Sequence, residues 1–341
     1  MKKEVYVLSA AYNGLARKML RRGVNLVCAA SFMCALIPIG PAQAAGLFGG
    51  DKDASVKVTN GGELKGRSTI AIGAFRVAFV TEDAANAATR GIFGSSAARI
   101  SAELVGVDHA LMQKITDKIY ADFVQHANAK GYTVIDSVAL ATTAPAYTAL
   151  APMENFTVGR LGTFVIPSGQ RSVALASDSR AKEEKGTGGF AARFNIVSDQ
   201  LAKSPASDAF PVVAKQADAA VLGVTIVANF ANFKGTASLG GSNASLAVGA
   251  TIDGRNKNEI IASTSIYGWN SGTGTCARCP AQLGLEGQLH SDATIGTYGS
   301  GGAKNNLSGT VTADPAAYEQ NILLLAAKAS DMLLGALQAE K

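Results

Sequence analysis

The sequence predicts an α/β (α+β) fold: a mixed sheet flanked by helices, with glycine-rich hairpin insertions, after a cleaved signal peptide. Three observations predict it. Two long segments, Asp108 to Gly131 and Asp314 to Lys341, carry apolar residues at helical spacing. The order strand, insertion, helix, strand between Ser68 and Leu140 makes one βαβ unit. Small residues dominate, with 37 glycines and only 6% aromatics, which suits close-packed strands and glycine-rich connections.

The N-terminus reads as a secretory leader over residues 1–44. Lys2, Lys3, Arg17, Lys18, Arg21 and Arg22 form a long positive region, and an apolar run follows from Val24 to Ile39. Ala42-Gln43-Ala44 is a small-x-small cleavage pattern. The apolar run is shorter than the roughly 20 residues of a spanning helix. Met19 offers a second start, which would give a leader of ordinary length. Cys28 and Cys34 lack the small-residue box that lipid attachment requires. The leader holds six of the 31 Lys and Arg and one of the 26 Asp and Glu, so the net charge of +5 belongs to it. The remainder is balanced, which argues against nucleic acid as a partner.

Residues 45–66 read as a flexible lead-in, and 67–341 as a single α/β domain with insertions near 81–107, 161–190 and 270–310. "STIAIGAFRVAFVTED", Ser68 to Asp83, is the first strong strand, with a break near Gly73. "AANAATRGIFGSSAARI" reads as a loop of small residues. In the first helix Leu111, Met112, Ile115, Ile119, Tyr120 and Phe123 recur at helical spacing, Asp108 caps the start and Gly131 stops it. "YTVIDSVAL" reads as a strand, and Pro145 to Pro152 as a breaker-rich link. "GRLGTFVIPSGQRSVAL" reads as a hairpin turning at "PSGQ". "FNIVSDQLAKSPASDAFPVVAKQ" reads as a short helix broken at Pro205 and Pro211. "ADAAVLGVTIVANFANFKG" is a long strand, and two more flank "DGRNKNE". "EGQLHSDATIGTYGSGGAKNNLSGTV" reads as a hairpin with a glycine-rich tip. In the last helix Asp314 caps, Pro315 takes the first position, and Ile322, Leu325, Ala329, Met332, Leu333 and Leu337 repeat helically.

Beyond the leader only Cys276 and Cys279 remain, in "NSGTGTCARCPAQ". An oxidising compartment favours a disulfide that closes this loop. A redox pair and free or metal-bound thiols are the alternatives. His109, His126 and His290 stand at no ligand spacing from the pair. No phosphate-cradling glycine motif, GxSxG or HExxH appears. His109, His126, Asp117 and Asp122 read as a solvated helix face, and Trp269 as packing.

Four stretches, with the terminal helix, resemble the CsgG-like family of bacterial envelope proteins, which carry a TolB-N-terminal-like α/β domain. "TIAIGAFRV" resembles its first strand. "ITDKIYADFVQHANAKGYTVID" resembles its helix and following strand. "AKQADAAVLGVTIVANF" and "LAVGATIDGRNKNEIIASTSIYG" resemble two later strands. The chain departs from the secretion members in lacking an acylated cysteine, and from the "GADY" stretch at Ala217 to Ala220. The resemblance implies a non-catalytic accessory protein for envelope assembly or secretion, with no cofactor, in the periplasm or associated with the outer membrane. It implies envelope proteins or a second copy of the chain as partners, peripheral outer-membrane contact, and contact surfaces at Thr81 to Val107 and Leu161 to Phe190. An outer-membrane secretion pore component and a periplasmic binder of lipid or a small ligand are the alternatives.

Overall fold

The computed structural model describes residues 5–9, 54–91, 94–158, 162–175, 205–238, 241–254, 263–271, 280–303 and 306–340. Its centre is a pair of parallel strands, β3 (Thr69–Val80) and β9 (Ala220–Ser238), in register from Ile70 against Ala220 to Phe79 against Ala228. Both are nearly continuous runs of buried apolar residues, as strands covered on both faces must be. The register slips between Ile72 and Ala74, so the break expected near Gly73 is a bulge. A Cβ at Gly73 would sit 2.8 Å from Val221 and 2.9 Å from the Phe210 ring, which is why glycine stands there.

Among the described residues eleven strands join this sheet. On one side of β9 lie β11 (Ser265–Trp269), β12 (Ala281–Glu286) and β2 (Ser55–Thr59), all antiparallel to their neighbours. β2 corrects part of the expected lead-in: Val56 and Val58 tie it to the edge of β12 and pack on the core. On the other side, β3 pairs with β6 (Thr133–Ile135) and β8 (Gly162–Val165), and β8 with β7 (Phe156–Val158). The parallel pairing of β6 with β3 completes the βαβ unit.

Helices cover both faces. α1 (His109–Ala129) and the terminal helix, named α5 (Pro315–Ala339), pack on one, burying Ile115, Ile119, Phe123, Ile322, Leu325 and Leu333. Asp108 caps α1 by accepting from Leu111 N, and Gly131 takes φ 81° just beyond its end. Asp314 accepts from Ala316 N and Ala317 N. The second face is covered by α2 (Ser137–Thr143), α3 (Pro145–Thr148) and α4 (Pro205–Ala217). There Phe210 meets Trp269 edge-on at 4.8 Å, so Trp269 is packing.

Further elements of this sheet and its covering helices differ from expectation. The strand after α1 is only Thr133–Ile135, because Asp136 accepts from Ala139 N and starts a helix. Pro205 begins α4 rather than breaking it, and Pro211 lies inside it. The "PSGQ" turn exists, with Gln170 N donating to Pro167 O and Gly169 at φ 71°. It does not join a hairpin: β8 pairs backwards with β7 and only Val173 bridges Pro152.

Candidate functional site

The feature that sets this chain apart is a second β-layer on the far half of β9. β10 (Gly241–Asp253) pairs with β9 from Ile252 against Ala228 to Gly241 against Ser238. Ala228 also pairs with Phe79, so β10 and β11 follow one another along a single edge of β9, opposite β3. A four-stranded sheet lies on this β9–β10 hairpin, in the order β14 (Gly296–Ala303), β15 (Asn306–Ala313), β5 (Gly94–Val105), β4 (Glu82–Gly91).

Alternation builds this layer. In β5, Ala98, Ile100, Ala102 and Leu104 are buried, while Ala97, Arg99, Glu103 and Val105 are exposed. Ala244 and Leu246 of β10 are buried with them in one core. The stretch read as a loop, Ala84 to Ile100, therefore forms most of the β4–β5 hairpin. Glycine allows the close contact in β15: a Cβ at Gly309 would sit 2.5 Å from the Tyr298 ring. Outward the sheet presents Thr297, Ser308, Thr310 and Thr312. β4 and β14, its edges, pair with no further strand among the described residues.

Where this layer joins the core sheet, a polar cluster is enclosed. β3 ends at Val80, and Asp83 stands at the start of β4, 6% exposed. Asn229 stands one residue past the end of the β3 pairing, opposite Thr251 of β10, and Asp253 ends β10. Asn229 Nδ2 donates to Asp83 Oδ2 and to Asp253 Oδ2, each at 2.9 Å. Asp83 Oδ1 accepts from Ala84 N at 2.7 Å. Asp253 Oδ1 accepts from Thr251 Oγ1 at 2.9 Å and from Gln288 Nε2 at 2.6 Å, the latter on β13 (Gln288–His290). Asn229 Oδ1 accepts from Phe230 N.

Burial pushes the Asp83 carboxyl up to about 7, against the pull of its hydrogen bond from Asn229, and the charge on Asp253 adds to the rise. Desolvation also raises Asp253, against its hydrogen bonds from Gln288, Asn229 and Thr251. No Lys, Arg or His pairs with either carboxylate among the described residues. Tyr318 of α5 is fully buried, its hydroxyl has no hydrogen-bond partner among the described residues, and the charge on Asp253 adds to the rise that burial gives its pKa. The arrangement can hold and release a proton while joining four strands, β4, β9, β10 and β13. Among the described residues no group of three or more His, Cys, Asp and Glu is set to hold a metal ion.

The residues singled out in the sequence fall elsewhere. Cys276 and Cys279 lie outside the described residues, as do 176–190 of the second expected contact surface. His109 approaches Asn155 at 3.4 Å on the surface. His126 is half-buried, with Nδ1 unpartnered. Asp117 is not merely solvated: it accepts from Ser168 N at 2.7 Å and so anchors the "PSGQ" turn to α1. Asp83, Asn229 and Asp253 carry no sequence signal, since only the strand crossing brings them together. Comparison with protein-family models, with curated proteins and with solved structures returns no match.

Proposed function

We propose that this chain is a non-catalytic accessory protein of a bacterial cell envelope, in the periplasm or associated with the outer membrane. It serves envelope assembly or secretion through protein–protein contacts. The observation that carries this reading is the added β-layer. A mixed sheet with helices on both faces needs no such layer to close its core. Here two hairpins are spent on a sheet whose outward face is short and polar and whose two edges, β4 and β14, have no further strand among the described residues. Open edges invite pairing with another chain. The leader-like N-terminus and the resemblance of four stretches to the CsgG-like family supply the compartment.

Strand length favours a second reading, an outer-membrane pore component. β4, β5, β9 and β10 run 10, 12, 19 and 13 residues, at or above the roughly 9–11 that cross a bilayer. Against it, the apolar faces of β5 and β10 are already turned inward, into the protein's own core.

The test is site-specific photocrosslinking in a Gram-negative host, with the probe at Thr297 or Thr312 on the β-layer and at Asp122 on α1 as control. Adducts with envelope proteins from the first two positions, and not from the third, support the reading. Protein recovered only from the cytosol, or adducts equal at all three positions, overturns it. Extraction only by detergent selects the pore.

A further inference from the structure

The polar cluster at the root of the β-layer is more than a structural plug, because its charge does not balance. Two carboxylates meet through one amide, Asp83 buried and Asp253 half-buried. Five donor contacts reach them: two from Asn229, one each from Ala84 N, Thr251 and Gln288. No cation pairs with either among the described residues. Two uncompensated charges bridged by one amide repel each other, and the buried Asp83 forgoes hydration, so such a pair keeps one proton and titrates as a unit.

The position matters as much as the charge. Asp83 belongs to the β-layer, Asp253 to the end of β10, and Asn229 to the strand that runs through both the core sheet and the hairpin. The ladder is irregular here: the β9–β10 register slips between Val248 and Thr251. Side chains therefore bind the seam where backbone pairing is interrupted.

The geometry points to a one-proton clasp: Asp83 and Asp253, bridged by Asn229, hold the β-layer on the core sheet while they share a proton and loosen that seam when it leaves. Other ionisable groups flank the site. Tyr318 closes it from α5 and stays neutral, since burial raises its pKa. Glu82 and Glu103 are cross-strand partners and sit on the opposite face of the layer from Asp83. His290 is the cross-strand partner of Thr251, and pairs with neither carboxylate. The clasp does not depend on export or on any partner, and its test can fail independently of the proposed function.

The experiment is amide hydrogen exchange on the full chain, corrected for intrinsic rates, well below and well above pH 7. Peptides covering residues 82–85 and 250–254 report the seam, and α5 is the reference. The expected result is a loss of protection at the seam of up to about tenfold per pH unit as pH rises from about 4 to about 7, levelling off above it, with α5 unchanged. Asp83→Asn and Asp253→Asn each remove the pH response, and His290→Gln keeps it. Should both Asn variants unfold, the wild-type infrared band of a protonated carboxyl, vanishing as pH passes through about 7, carries the proposal. A seam equally protected at both pH values, a response that survives in folded Asp83→Asn and Asp253→Asn, or no protonated band overturns it.

Discussion

Asp83 shows what burial does to a single group. In the unfolded chain its carboxyl titrates near 3.8; in the fold, desolvation above all lifts it to about 7. The folded state therefore binds the proton more tightly than the unfolded one. Stability is greatest where both forms are protonated and falls as pH rises from about 4 to about 7. Three pH units at 1.36 kcal/mol each set the scale, about 4 kcal/mol lost by the top of that window. Urea titrations across this range are expected to show that decline for the wild type and a flatter profile for Asp83→Asn. Tyr318 poses the opposite case. Its hydroxyl is buried without a partner, so Tyr318→Phe removes a desolvated group at no cost in packing. Such a change is expected to leave stability unchanged or raise it by about 1 kcal/mol in the same urea assay.

At the scale of the element, the terminal helix α5 concentrates the packing of one face. Leu333 is fully buried between α1 and the sheet, so Leu333→Ala is expected to cost about 2–5 kcal/mol. Asp314→Ala removes the cap and is expected to cost about 1 kcal/mol. Leu324, 44% exposed, is expected to tolerate alanine within about half a kcal/mol. Thermal denaturation of the three variants ranks them. Both long helices were legible because a cap, an apolar stripe and a stop coincide in the chain. The β4–β5 hairpin was not, because alanine, serine, asparagine and threonine carry little strand preference by themselves. Only the alternation through Ala98, Ile100, Ala102 and Leu104 marks its second strand, and cross-strand partners supply the rest. Pro211 misleads for a related reason: it costs α4 one hydrogen bond, but the burial of Phe210, Val213 and Ala214 outweighs that loss. The Asp83–Asn229–Asp253 cluster had no local trace at all, since its members lie 146 and 24 residues apart.

On the scale of the molecule, the first residues bear on both charge and sheet. Val5–Ser9 forms β1, antiparallel to β10, with Val5 against Ala247 and Ser9 against Asn243. These residues fall within the proposed leader. Removing residues 1–44 would take β1 from the edge of β10 and leave the rest of the ladder intact, because among the described residues no other strand pairs with β1. The core pairs β3–β9, β9–β11 and β9–β10 are independent of it. A chain starting at Ala45 is therefore expected to unfold in one cooperative transition like the full chain, with faster amide exchange confined to residues 243–247. Its charge changes more than its fold. The full chain carries +5, whereas the processed chain has equal numbers of acidic and basic residues. At neutral pH a cation exchanger is expected to retain the former and pass the latter. Mass spectrometry of protein recovered from the envelope of a Gram-negative host should then find Ala45 at the N-terminus. Intact Met1 or Met19 on all of the recovered protein would remove the compartment, and with it the envelope partner, while leaving the fold and the one-proton clasp untouched.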